Sequence, residues 1–151
     1  MNTGAIMNGH LEWSIKLSLL LYVTSAPGGG IRAEGITSEN GCFFFPLSEG
    51  GVGDGSYAFD GSIALFAHHG APITTFASLR LRREASGSWV LEMSPDDGPA
   101  VPAFSLGAAR EVEHELEFTD VTLTQIGSEM FGGYYVPGEK FDPIRVLLHR
   151  G

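Results

Sequence analysis

Three short stretches of this 151-residue chain carry side chains able to bind or react. In LEWSIKLSLLLYV, residues 11–23, the hydroxyl of Ser18 and the phenol of Tyr22 stand four residues apart in an otherwise apolar run. A separation of four returns to the same side of a strand or a helix, so the two groups look out from one face. In Phe66-Ala67-His68-His69-Gly70 two imidazoles are adjacent. On a strand they would point to opposite faces, so at most one can share a site with Tyr22. In FGGYYVPG, Phe131–Gly138, glycines flank the pair Tyr134 and Tyr135, a composition that can shape a flat slot. Each stretch also has a plainer explanation: a tyrosine at the core's edge, two unremarkable histidines, and a turn followed by core aromatics.

The elements that would position these groups are mostly strands. In residues 11–23, Trp13, Ile15, Leu17, Leu19, Leu21 and Val23 share one parity, while Ser14, Lys16, Ser18 and Tyr22 share the other, a strand's period of two. Leu11, Ile15, Ser18 and Tyr22 also form a stripe at i, i+4, i+7 and i+11, so a helix stays open. Residues 1–10 read as a loose lead-in. Pro27 and the glycines around it force a loop, and Ile31 to Ile36 suits a short strand. Asn40-Gly41 signals a hairpin turn into a strand from Cys42 to Phe45, which Pro46 should end. Leu47–Gly55 reads as a flexible connection.

Tyr57 to Ala67 reads as one long strand with Tyr57, Phe59, Ile63 and Leu65 on one face. Gly70-Ala71-Pro72 turns it into a second, Ile73 to Arg83, with Ile73, Thr75, Ala77, Leu79 and Leu81 inward. Ser86-Gly87 leads into Trp89–Met93, and Pro95–Pro102 reads as an exposed acidic loop. Glu111 to Phe118 alternates acids with apolar residues, as a strand with one solvated face would. Leu123, Ile126 and Met130 predict a short helix capped by Thr124. Pro137-Gly138 and Asp142-Pro143 mark turns before a final strand, Ile144 to His149. The fold class is therefore all-β: mainly antiparallel strands in a barrel or sandwich, with one or two short helices.

Composition narrows the function classes. The 21 glycines and the low charged fraction of 18% suit short strands and turns rather than a helical bundle. The net charge of −9, with no Lys or Arg run, argues against nucleic acid and anionic membranes as partners. A single cysteine, Cys42, cannot form an internal disulfide, rules out a Cys-based zinc site, and mildly favours a reducing compartment. His10, His114 and His149 have no ligand spacing, and Asp96-Asp97 lacks the carboxylates of a calcium site. No run of about 18 apolar residues is present, so no membrane-spanning helix is expected. Lys16 followed by LSLLLYVTSA resembles the core of a secretory signal. The long preceding region, Glu12, a single positive charge and the interrupting Ser18 argue against it.

Taken in chain order, WSIKLSLLLYV, FDGSIALFAHHG and LTQIGSEMFGGYYVPGEKFDP resemble the HtaA-type haem-binding domain of corynebacterial haem uptake proteins. The likeness spans about residues 11–148 and implies a single β domain over 11–151. It also implies a haem site: Tyr22 as the ligand of ferric iron, Ser18 on a propionate, His68 bonded to the ligating oxygen, and Tyr134 and Tyr135 against the porphyrin and a propionate. The family's glycine before the histidine is Ala67 here, and its stacking phenylalanine is Tyr134. The chemistry is coherent, because ferric iron favours a phenolate that a free phenol, with a pKa near ~10, does not offer at neutral pH. A haem-transfer protein partner is implied as well. Relatives in uptake are exported and often anchored; with no convincing signal in this sequence, a cytoplasmic location stays open. Two other functions compete. One is an enzyme acting on an apolar metabolite, with Tyr22 and His68 as an acid–base pair. The other is a structural or interaction domain without a small ligand.

Overall fold

A computed structural model describes residues 6–94 and 98–150. Strand β1 (Ile6–Trp13) is followed by helix α1 (Leu17–Ser25), then β2 (Gly30–Glu34), β3 (Thr37–Glu39), β4 (Cys42–Gly53), β5 (Ser56–Phe59) and β6 (Ser62–Phe66). A 3-10 turn (His68–Gly70) leads to β7 (Pro72–Ala77), β8 (Arg80–Arg83), β9 (Trp89–Met93), β10 (Val101–Gly107), β11 (Arg110–Val112) and β12 (Glu115–Phe118). The chain closes with β13 (Thr122–Leu123), helix α2 (Gln125–Met130) and β14 (Ile144–Arg150).

Among the described residues, eleven strands form one sheet in the order β11-β12-β14-β1-β4-β5-β8-β9-β10-β13, with β3 also on β4; β2-β6-β7 form a second. The large sheet is antiparallel and curls into a half-barrel with two short helices, the all-β class expected. β1 lies at its middle, pairing Leu11 and Trp13 with Val146 and Ile144 on one side and with Phe45 and Phe43 on the other. Alternation decides which face is buried: Leu11, Trp13, Phe45, Phe104, Phe118, Ile144 and Val146 are all sequestered. The Trp13 ring meets Phe104 edge-on at 5.1 Å and Phe76 of the small sheet at 5.7 Å, which ties the two sheets together.

The chain departs from expectation where local signals were overridden. Residues 6–10 are strand, not lead-in, because a ladder with β14 needs backbone rather than apolar side chains. Gly9 fits there because a Cβ would come within 2.3 Å of the Leu147 carbonyl oxygen. Pro46 does not end β4: it sits where pairing passes from β1 (His10↔Pro46) to β5 (Leu47↔Phe59), and its carbonyl accepts the Asp60 N–H at 2.8 Å. Leu47–Gly53 is therefore strand, with a register shift, rather than a free connection.

The long strand expected over Tyr57–Ala67 is two, and they lie in different sheets. Gly61 makes the break, with φ +98 and an absent Cβ that would stand 2.2 Å from the Ile36 side chain. Ile73–Arg83 also divides, at Ser78 (φ +54), which shifts the inward parity so that Phe76, Leu79 and Leu81 are the buried residues. Glu111–Phe118 is a hairpin turning through Glu113 and His114, and its Glu115 and Glu117 meet Arg145 and Arg110 rather than bare solvent. Val101-Pro102, expected in the acidic loop, opens β10; Pro95, Asp96 and Asp97 lie outside the described residues.

Candidate functional site

Of residues 11–23, the strand reading holds for 11–13 and the helix reading for 17–23. Leu11 and Trp13 continue the sheet, and the chain then turns at Ile15 into α1. Ile15 is buried with φ +61, a left-handed conformation in which a β-branched residue is an outlier. α1 buries Leu19, Leu20 and Val23. Its other face leaves Leu17, Ser18, Leu21 and Tyr22 exposed, so Ser18 and Tyr22 share a face as expected. The helix ends before Pro27, with Ala26 extended. Thr24 and Ser25 donate their hydroxyls back to the Leu20 and Leu21 carbonyls, at 2.8 and 2.7 Å.

α1 has no cap of its own. Lys16 occupies the N-cap position, and its side chain makes no capping bond. The Leu17 N–H instead donates to Asp142 Oδ2 at 3.0 Å. The Asp142 N–H donates to the Ile15 carbonyl at 2.8 Å, and the Asp142 carbonyl accepts the Trp13 indole N–H at 2.9 Å. Lys16 reaches the same segment, donating to the Lys140 carbonyl at 2.7 Å and pairing with Glu139 at 3.3 Å.

The two histidines are not on a strand. Ala67 still ends the run from β6, but His68 and His69 form the 3-10 turn, with His69 at φ +58. The His69 N–H donates to the Pro27 carbonyl at 2.9 Å, which docks this turn on the loop that leaves α1. Gly28 permits the approach: with φ +77, its missing Cβ would lie 2.9 Å from His69 backbone atoms. The exposed His68 ring stands 6.3 Å from the Tyr22 ring, tilted by 58°.

The third side comes from the far end of the chain. Thr124 caps α2 by accepting the Gly127 N–H at 3.0 Å, as its sequence position predicts. Gly127 packs where a Cβ would be 2.3 Å from the Ala103 carbonyl oxygen. Beyond Phe131, two left-handed glycines lead to the tyrosines. Tyr135 is half-buried, edge-on to Phe131 and Phe141 at 5.4 and 5.5 Å, and Lys16 Nζ lies 5.8 Å from its ring centre. Its carbonyl accepts the buried Ser128 hydroxyl at 2.5 Å, a contact that sequence reasoning missed because a serine in an amphipathic helix looks solvent-facing. Burial, then Glu139 and Tyr134, push the Tyr135 phenol's pKa up.

Tyr134 is 64% exposed, its ring 6.4 Å from that of Tyr135. The neighbouring Tyr134 hydroxyl is the first cause of a Tyr22 pKa held above the ordinary 10.0, and the His68 ring flanks that of Tyr22. Ser18, Tyr22, His68, Tyr134 and Tyr135 come from three segments spread over most of the chain. Leu17, Leu21 and Val136, at 51, 62 and 65% exposure, lie on the same two segments as the tyrosines, α1 and the run that follows Phe131. Apolar surface left in water beside a phenol marks a candidate binding face. Among the described residues, no three His, Cys, Asp or Glu side chains gather to hold a bare metal ion. No helix among them is long and apolar enough to cross a membrane.

A separate cleft of about 500 Å³ lies over β1 and β4, lined by Gly9, His10, Gly35, Ile36, Thr37, Phe44 and Pro46. It contains none of the five site residues. Its His10 lies 3.4 Å from Glu12, which in turn lies 3.7 Å from Arg145.

The comparisons with known proteins bear on the fold and the family. Comparison with curated protein sequences finds no match. The structure superposes on the C-terminal domain of HtaA from Corynebacterium glutamicum with a TM-score of 0.76 and 25% identity, covering 97% of this chain and 98% of that one. The N-terminal domain of the same protein gives 0.72 at 21% identity, covering 97% and 98%. The haem-binding protein HtaB of that organism gives 0.71 at 15% identity, covering 97% and 96%; these last two likenesses concern the fold alone. The Htaa family model matches residues 8–147, nearly the whole chain, and the chain therefore belongs to the HtaA family.

Proposed function

We propose that this protein is a non-catalytic module that binds ferric haem through Tyr22, for transport or storage. The observation that carries the reading is the exposed Tyr22 phenol, on a helix that also leaves Leu17 and Leu21 in water. Haem-binding HtaB shares the fold and adds support. The residues present fit such a group. Tyr22 would supply one anionic oxygen, Tyr134 and Tyr135 flat aromatic surface, and Ser18 a hydroxyl for a propionate. Bound haem would supply a ferric, electron-accepting centre for the phenolate oxygen.

Before it can ligate, Tyr22 must lose its proton, which the Tyr134 contact resists. A phenolate can only accept hydrogen bonds, so with haem bound Tyr134 would donate its hydroxyl, and His68, whose ring lies 6.3 Å from that of Tyr22, would be a second donor. A phenolate favours ferric over ferrous iron, so reduction would loosen the complex and suit handover to a protein partner. The acid–base alternative needs a Tyr22–His68 hydrogen bond; the two rings stand 6.3 Å apart, and Tyr134 rather than His68 is what raises the Tyr22 pKa.

Titration of the purified protein with hemin tests the proposal. A saturable one-to-one complex with high-spin ferric, phenolate-type absorption is expected, and Tyr22→Phe should abolish that spectrum. An unchanged spectrum in Tyr22→Phe would remove Tyr22 from the iron.

A further inference from the structure

The two tyrosine-bearing halves of the site are about 110 residues apart in sequence, Tyr22 against Tyr134 and Tyr135, and one carboxylate joins them. We propose that Asp142 is a positioning residue for ligand binding, holding the start of α1 against the segment that carries Tyr134 and Tyr135. This inference rests on the haem reading above only for its ligand.

The geometry is specific to that joint. Asp142 closes the turn in both directions, since its carboxylate accepts from Leu17 while its N–H donates to Ile15. Its carbonyl holds the buried Trp13 indole, the last residue of β1. These bonds bracket Ile15, whose left-handed φ has no local support from glycine or asparagine. The residue at the N-cap, Lys16, has a side chain with donors and no acceptor, so it cannot do this work. Lys16 instead crosses to Lys140 and Glu139 and lies 5.5 Å from the ring centre of Phe141. The polar links of the Lys16 side chain and of the Leu17 N–H thus all run to residues 139–142. A carboxylate here also faces the positive end of the helix dipole. Remove it, and α1 keeps its buried leucines but loses the bond that sets its direction relative to Tyr134.

The test uses the full chain and compares Asp142→Ala, Asp142→Asn and Leu116→Ala. Leu116 is buried on β12, away from the site, and supplies a matched loss of stability. Asp142→Ala should weaken hemin affinity roughly tenfold or more and reduce the phenolate-to-iron absorption of the fraction still bound. Asp142→Asn keeps an oxygen acceptor and should recover most of both. Leu116→Ala should leave the affinity as in the unaltered protein. Equal affinity and spectrum in Asp142→Ala, or an equal loss in Leu116→Ala, would overturn the proposal. Amide exchange without haem separates this from the function itself. If the unaltered protein fails to bind hemin, the haem reading falls, yet fast exchange at Leu17 in Asp142→Ala still supports the tether. Slow exchange there would sink the tether whatever haem does.

Discussion

The two helices solve the same problem in opposite ways. α2 is self-sufficient: Thr124, the residue before it, caps it, and Gly127 seats it against Ala103. α1 depends on others. Its cap comes from 125 residues away, it follows a left-handed isoleucine, and it leaves Leu17, Leu21 and Tyr22 in solvent. The difference separates a helix that serves the core from one that serves a surface. α1 is placed by tertiary contacts because its orientation matters more than its own stability.

The largest way to break the comparison is on the α2 side. Gly127→Ala should cost about 3 kcal/mol in urea unfolding, since the new methyl meets a carbonyl that also accepts from Thr124. Thr124→Ala should cost ~1 kcal/mol, the ordinary worth of a local cap. On α1, the cap position behaves differently. Lys16→Ala should cost no more than about 0.5 kcal/mol, because it removes partly exposed contacts and no cap. A Lys16 effect as large as that of Thr124 would erase the contrast.

Two pH responses sharpen it further. Tyr22 keeps its proton above the ordinary 10.0 because of Tyr134, so this contact stabilises the fold below that pH and is lost as pH rises through the folded value. Tyr134→Phe should let the tyrosinate absorption of Tyr22 appear at lower pH. Glu115 shows the reverse sign. Arg145 holds its carboxyl below the ordinary 4.5, so its contribution is present above that value and fades as pH falls through the folded one. Arg145→Met should flatten the acid side of the stability profile. Little change in Tyr22→Phe stability, beside its loss of haem spectrum, is the smallest and final expectation.

The face that Ser18 and Tyr22 share was more legible in the sequence than the sheet was. Ser18 and Tyr22 share a face under either periodicity, so the unresolved choice of strand or helix did not matter. Thr124 was readable because a cap is a local signal. The break at Asp60-Gly61 was not, since Tyr57, Phe59, Ile63 and Leu65 keep an even spacing straight through a change of sheet. Pro46 misled because a proline stops a strand only where its N–H is needed, and here two neighbouring strands exchange places. Asp142-Pro143 read as a mere turn; a cap that reaches across the whole chain leaves no local trace.

The position of β14 between β1 and β12 has a consequence for biosynthesis. A growing chain makes β1 and α1 long before β14 and Asp142, the anchor of α1, have emerged. β1 therefore waits, unpaired on that side, until residues 144–150 are made. Such long-range closure slows folding. It also means that the segments carrying Tyr22 and Tyr134 are joined only after Asp142 has been made.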